Sequence, residues 1–461
     1  MTDDPLRDDA FAHLPMVVAE ALRRLAEEDP DAASYAVEAW SDLAADEGPD
    51  RVGQRRLQEF LWYRLPRAFL AGDEEHVAIA DALGRLLDEL GLARRAAICH
   101  SEQTREILRA WHREPREGFA AFEAAADRSG VEPPDTDDLA WGSMMTLEEA
   151  QARDHVGQRL EEAIVETRLR PGRSGWRRQQ RALTDAALNE SRPGHPTGET
   201  WRQALTTARV QAWIDRSGAA SASRRRLIDP LEPRLLHPVE VPEGAAEVTE
   251  PLRWLLARAR DEGLPLTERG NLGRALVREA QQRFGFEDWW FKDRLPASEI
   301  DVIPLVRWHE LLRAQRWVRR RGRTLHTTKA GEALADDVEA AWRALAAALA
   351  ADKGFVGFVE EAVFLILASG PPRGTKAFME EVAALAAEAG WRDRDRGTPP
   401  DADAVSRTAW PLLGRLEDFG LLEDPDPVGA RDRTLTLTNP GQATAVEALR
   451  ARAVAAADDP R

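Results

Sequence analysis

The chain has 461 residues, 43% apolar and 31% charged, with a formal net charge of −17. That is material for roughly two to four domains with real cores, and the balance excludes a disordered chain. The lone Cys99 excludes a disulfide framework and any multi-cysteine zinc or iron–sulfur site, and the opening MTDDPLRDD has the wrong charge for a secretory signal.

Helical periodicity dominates the first half. In Glu75–Leu90, Val77, Ala80, Leu83, Leu86, Leu87 and Leu90 recur at steps of three and four, the spacing of one helix face. Similar stretches occupy about Phe11–Glu28, Ala32–Asp46, Arg51–Leu65, Gly118–Arg128 and Leu147–Thr167, and Ser101 stands where its hydroxyl caps the helix that follows. No alternating strand pattern occurs before residue 230. Residues 1–168 are therefore expected to form an acidic helical domain. The longest apolar run, Phe355–Ser369, is broken by Glu360 and Glu361 and falls short of the roughly 20 residues of a membrane span. A soluble, cytoplasmic protein with no membrane contact is expected.

Charge reverses next. Between Arg170 and Arg226 twelve arginines face four carboxylates, with Trp176, Trp201 and Trp213 among them. Residues 169–228 are read as a basic helical segment, whose tryptophans serve as core and whose arginines either pair with the acidic first half or form a cationic surface. Prolines 230, 233, 238, 242 and 251 mark 229–250 as an extended linker.

After the linker a pattern repeats. Trp254-Leu-Leu-Ala257 opens a helix, a second follows from about Asn271 to Phe284 and a third from about Ile300 to Ala314. A short strand at Trp317-Val318, a turn at Arg320-Arg-Gly322, a strand at Thr324–Thr327 and a helix at Lys329 complete the unit. Phe364-Leu-Ile-Leu367 lies 110 residues after Trp254-Leu-Leu-Ala257, and Thr434–Thr438 with Gly441 lies 110 after Thr324–Thr328 with Gly331. The third helix matches at 104 instead: Trp308 with Leu412, Leu312 with Leu416, Val318 with Leu422. One longer loop, Glu423–Arg433, reconciles the two offsets, so an internal duplication is predicted, 251–350 and 354–455. Helix, helix, helix, strand, turn and strand is the layout of a winged helix. The expected fold class is mainly α: an N-terminal helical domain followed by two tandem winged-helix-like modules with small β-ribbons.

Leu266-Thr-Glu-Arg-Gly-Asn-Leu272 and Leu325-His-Thr-Thr-Lys-Ala-Gly331 resemble winged-helix segments of uncharacterised actinobacterial proteins, some of which carry a plasmid ORF-3-like domain not seen in this chain. Phe60-Leu-Trp-Tyr-Arg-Leu-Pro66 and Gly175-Trp-Arg-Arg-Gln-Gln180 also resemble phrases that recur in long actinobacterial proteins. The resemblance implies a fold for the second half and carries over no catalytic residue.

The chemistry-bearing motifs are weak. Phe364–Lys376 evokes a phosphate loop, but the spacing of Gly370 and Gly374, the order Thr375-Lys376 and two prolines all depart from that pattern, so an interhelical turn is expected. The histidines lack metal-ligand spacing, Cys99 follows Ala96-Ala-Ile98 as a small buried hydrophobe would, and Ser174 lacks a nucleophile-elbow frame. No catalytic, metal or cofactor residue is assigned. The candidate contacts for nucleic acid or a partner are Arg319, Arg320, Arg321 and Arg323 around Gly322, with Arg224, Arg225 and Arg226. Arg307 and Arg313 lie on the third helix, yet Glu299, Asp301 and Pro304 make its start a poor surface for a polyanion. The second wing is acidic, with Glu423, Asp424, Asp426 and Asp432 against Arg431 and Arg433. Trp289-Trp290-Phe291 and Trp308 are read as core, with part of Trp289-Trp290 as an alternative partner anchor. Two functions follow: a non-enzymatic interaction or regulatory scaffold bound to an unknown protein, or a regulator that binds duplex DNA through the first wing and the 170–226 surface.

Overall fold

Residues spaced three and four apart along the first half fold as a succession of short helices. The computed structural model describes residues 14–44, 47–69, 71–136, 139–142, 145–194, 198–216, 222–286, 295–423 and 433–455. They form a mainly helical protein with two small antiparallel sheets, divided into two compact units at Ala208/Arg209. No helix among the described residues is long and apolar enough to cross a membrane.

In the first unit α1 (Met16–Glu28), α2 (Pro30–Ala44), α3 (Gln54–Glu59), α4 (Leu65–Ala68), α5 (Asp73–Glu89), α6 (Ala93–Cys99), α7 (Glu102–Arg113) and α8 (Pro115–Ser129) surround a core built on Leu22, Trp40, Phe60, Leu83 and Leu87. A single π-turn, Phe60–Arg64, joins α3 to α4. Ser101 caps α7 by accepting the amide of Thr104, as its position predicts. Cys99 is buried, and burial pushes its thiol far above the usual range. A second core joins α9 (Leu147–Val165), α10 (Trp176–Leu188) and the start of α11 (Trp201–Asp215) through Val156, Leu160, Leu169, Leu188 and Leu205.

The stretch expected as one basic segment is thus split. Its first part shares a core with α9, whereas Trp213, Ile214 and Ile228 of α12 (Ala222–Ile228) belong to the core of the second unit. The expected extended linker is also partly helical: α13 occupies Glu232–Leu235 and α14 (Ala245–Asp261) begins inside it. Pro233 sits in the first turn of α13, where a missing amide costs nothing, and Leu231 and Leu235 are buried, so this segment packs instead of spanning open solvent.

The second unit continues with β1 (Leu264–Pro265), α15 (Arg274–Phe284), α16 (Ile303–Ala314), β2 (Val318–Arg321), β3 (Thr324–Thr327), α17 (Lys329–Ala335) and α18 (Val338–Leu349). Then come α19 (Gly354–Ser369), β4 (Arg373–Gly374), α20 (Thr375–Glu388), α21 (Ala402–Asp418), β5 (Thr434–Leu435) and α22 (Asn439–Val454). The three-stranded sheet has the order β1-β3-β2. Leu264 faces Leu325 and Val318 faces Thr327 across it; Arg373 faces Leu435 in the later sheet, β4-β5, and Leu422 faces Leu437 in an isolated bridge.

The correspondence extends to individual hydrogen bonds. Thr328 caps α17 through the Gly331 amide and donates its hydroxyl to the Arg316 carbonyl; Thr438 caps α22 through the Gly441 amide and donates to the Gly420 carbonyl. Arg316 (φ +54°) and Gly420 (φ +71°) are both left-handed and end their helices. A Cβ on Gly331 would strike the Trp317 carbonyl, and one on Gly441 would strike that of Leu421. Offsets of 110 and 104 therefore relate the same local construction twice.

Candidate cationic wing and the helix beside it

Strand alternation decides where the wing arginines point. Val318, Leu325 and Thr327 face the core, so Arg319 and Arg321 lie on the outward face of the ribbon, beside His326 and Thr324 respectively. Arg320 lies on the other face beyond the core edge, its Nε donating to the Gly322 carbonyl at 2.8 Å. Arg321 pairs with Thr324, leaving a two-residue turn, Gly322-Arg323, with Gly322 at φ +59°. Glycine at the first position of such a turn accepts the positive φ that keeps the ribbon twist. Arg319, Arg320, Arg321 and Arg323 are all exposed. Arg323 reaches Glu268 at 3.4 Å, an exposed pair; among the described residues no carboxylate pairs with Arg313, Arg316, Arg319, Arg320 or Arg321.

The other predicted arginines are placed differently. Arg224 is buried at 7% exposure, its Nε 2.8 Å from Glu361 and its guanidinium 4.5 Å from the Trp213 ring centroid. Glu361 also accepts from Arg452 at 3.0 Å and from the Trp213 indole at 3.2 Å. Arg224 is therefore an internal ion-pair partner and not part of a cationic surface: an unpaired guanidinium could not be buried there. Arg225 is exposed but engaged by Asp229 at 2.6 Å and Glu232 at 2.9 Å. Arg226 is exposed and donates to the Ser223 hydroxyl at 2.9 Å. Upstream, Arg177, Arg192 and Arg202 pair with Asp127, Glu199 and Asp185. Of the twelve 170–226 arginines, Arg177, Arg192, Arg202, Arg224 and Arg225 are thus engaged by carboxylates of the fold.

The third helix also departs from expectation. Glu299 is buried, one carboxylate oxygen 2.7 Å from Nδ1 of buried His309 and the other accepting the Leu272 amide. Asp301 accepts the amides of Ala297 and Ser298 in a capping box. Neither acid lies on the surface as a free charge. From Val302 to Gly331, eight cationic side chains stand against one carboxylate, Glu310.

One side of α16 is occupied. Trp308 stacks on Phe419, which directly follows α21, with ring centroids 3.7 Å apart at 21°, and Arg307 donates to the Gly414 carbonyl and pairs with Asp418. Burial pushes the Asp418 carboxyl up to about 6 in spite of Arg307. The side left open is the stripe Ile303, Val306, Glu310 and Arg313, at helical steps of three, four and three. Ile303 is 45% exposed, and Leu295 and Ile300, just before the helix, are 68% and 64% exposed. The sequence places Ile300, Ile303 and Val306 in the third helix without pointing to a role; their apolar character is visible there, their exposure is not. Trp289, Trp290 and Phe291 lie outside the described residues, as do Asp424, Asp426, Arg431 and Asp432 of the second wing.

Arg433, the described cation of the second wing, is held by both oxygens of Glu417 at 2.9 and 3.0 Å and lies 5.6 Å from the Trp410 ring centroid. The segment that evokes a phosphate loop is an interhelical connection carrying β4, and the Thr375 amide and hydroxyl at the start of α20 both donate to the Arg433 carbonyl.

A family model described as the Y4jL N-terminal domain matches residues 245–340, from the first residue of α14 into the first turn of α18. Comparison with curated proteins and with solved structures gives no match.

Proposed function

We propose that the protein is a non-enzymatic interaction scaffold built on two winged-helix-like modules, with α16 and α21 as their third helices. The sheet order β1-β3-β2 and the recurrence of the Thr328 and Thr438 caps support that reading of the fold. In a winged helix that reads DNA, the third helix offers hydrogen-bonding side chains to base edges. Here the open stripe of α16 runs Ile303, Val306, Glu310 and Arg313, and Leu295 and Ile300, just before the helix, are also exposed. The exposed apolar start of this stripe, Ile300 and Ile303, with its polar end confined to Glu310 and Arg313, is the observation that carries the proposal: it suits a protein partner better than a row of base edges.

The test is affinity capture with the full chain from nuclease-treated extract of the source cells, comparing the unmodified protein with Ile300→Glu/Ile303→Glu. The expected result is a nuclease-resistant partner lost on the double substitution while the thermal midpoint holds. A partner retained by that variant, or none surviving nuclease, contradicts the reading.

A further inference from the structure

The first wing rests on residues separate from the apolar strip. We infer that the β2–β3 hairpin is a sequence-independent contact for the phosphodiester backbone of a nucleic-acid duplex, made by Arg319, Arg320 and Arg321 with Arg323 at the tip.

Three observations carry this. Arginines elsewhere are commonly paired: Arg55 with Asp154, Arg85 with Asp29, Arg343 with Glu339 and Glu447, Arg433 with Glu417. At the wing three successive arginines are exposed and, among the described residues, have no carboxylate partner. Like charges so close repel one another, and an external polyanion removes that repulsion. Secondly, alternation puts Arg319 and Arg321 about 7 Å apart on one face, the scale separating adjacent phosphates along a strand, with Arg320 opposite. Guanidinium forks grip phosphate oxygens in pairs. Thirdly, charge is segregated. Arg209–Ala455 carries a net −2 and the rest of the chain −15, so the acidity of the whole lies mostly outside this unit. At physiological salt, charges beyond about 8 Å are largely screened, and the local cluster dominates contact. The contact is to phosphate oxygens, which are the same at every base pair, so it ignores sequence.

Fluorescence anisotropy with the full chain at low salt tests this, using two unrelated DNA duplexes, an RNA duplex and polyglutamate. The two DNA duplexes should bind alike; binding to either nucleic acid supports the inference, and the tighter one names the source. Arg319→Ala/Arg320→Ala/Arg321→Ala should weaken binding at both DNA sequences and reduce the slope of log affinity against log salt by about 2.7, roughly 0.9 for each lost contact with B-DNA. The matching triple Lys variant should recover most of that slope. No binding by the unmodified protein at micromolar concentration, an unchanged slope in the Ala variant, or equal binding of polyglutamate would overturn it. Since the strip on α16 is untouched, capture of its partner is independent of this result.

Discussion

The two halves of the second unit share a skeleton and differ in what they place on it. In both, a threonine caps the helix after the β-ribbon, a glycine lets that helix touch the preceding carbonyl, and a left-handed residue ends the third helix. On the first ribbon Arg319, Arg320 and Arg321 have no carboxylate partner among the described residues; on the second, Arg433 is clamped by Glu417. The third helices face each other through Trp308, Phe419, Arg307 and Asp418. Similar backbone construction thus carries different surface chemistry, and one side of α16 is spent on packing against α21.

The largest loss is expected where α16 packs against α21. Trp308→Ala should destabilise the second unit by about 3–5 kcal/mol, because a fully buried indole leaves a cavity and an unstacked Phe419. Denaturant unfolding measures it, and a loss under 1 kcal/mol contradicts the packing. Gly331→Ala and Gly441→Ala should each cost about 1–3 kcal/mol, since the new methyl meets a carbonyl. Similar losses support equivalent roles; a neutral change at one of them ends the equivalence.

A third expectation concerns pH. Glu360 is buried in α19 beside Asp352, and burial raises its carboxyl to about 8 from an ordinary 4.5, Arg415 opposing the shift. The folded form thus holds a proton that the unfolded chain releases. The stabilisation is complete below about pH 4.5 and is lost as pH rises through 8. Glu360→Gln, neutral throughout, should flatten the fall in urea midpoint over that window. Parallel pH profiles for the two proteins contradict this.

Much of the skeleton was legible because it rests on local spacing. The 110-residue offset rests on Thr328 with Gly331 and Thr438 with Gly441, each pair spanning the four residues of one local cap, and the 104-residue offset on apolar third-helix positions. Surface chemistry was less legible, because burial depends on partners distant in sequence. Glu299 reads as a surface acid until His309 and the Leu272 amide are seen around it. Arg224 reads like Arg225 and Arg226 until Glu361, 137 residues away, is found beneath it. The prolines of 229–250 suggested open chain, but Pro233 falls in a helix's first turn.

Arg316 holds a conformation that costs an L-residue roughly 1–2 kcal/mol, against roughly 0.5–1 for glycine's lost chain entropy. Arg316→Gly should therefore raise stability by up to about 1 kcal/mol, whereas Gly420→Ala should lower it by about as much. A thermal midpoint that falls on Arg316→Gly would give that side chain a role of its own. Smallest of all, the triple Ala variant of Arg319, Arg320 and Arg321 should change stability by no more than about 0.5 kcal/mol, as exposed substitutions do.

The pairing of the third helices is tested most directly by a double-mutant cycle on Trp308 and Phe419, with each residue changed to Leu singly and together and unfolding followed in denaturant. Stacked rings 3.7 Å apart should show a favourable coupling of about 1 kcal/mol. A coupling indistinguishable from zero would mean that the two helices do not hold each other, and the surface assigned to joining the modules would be open instead.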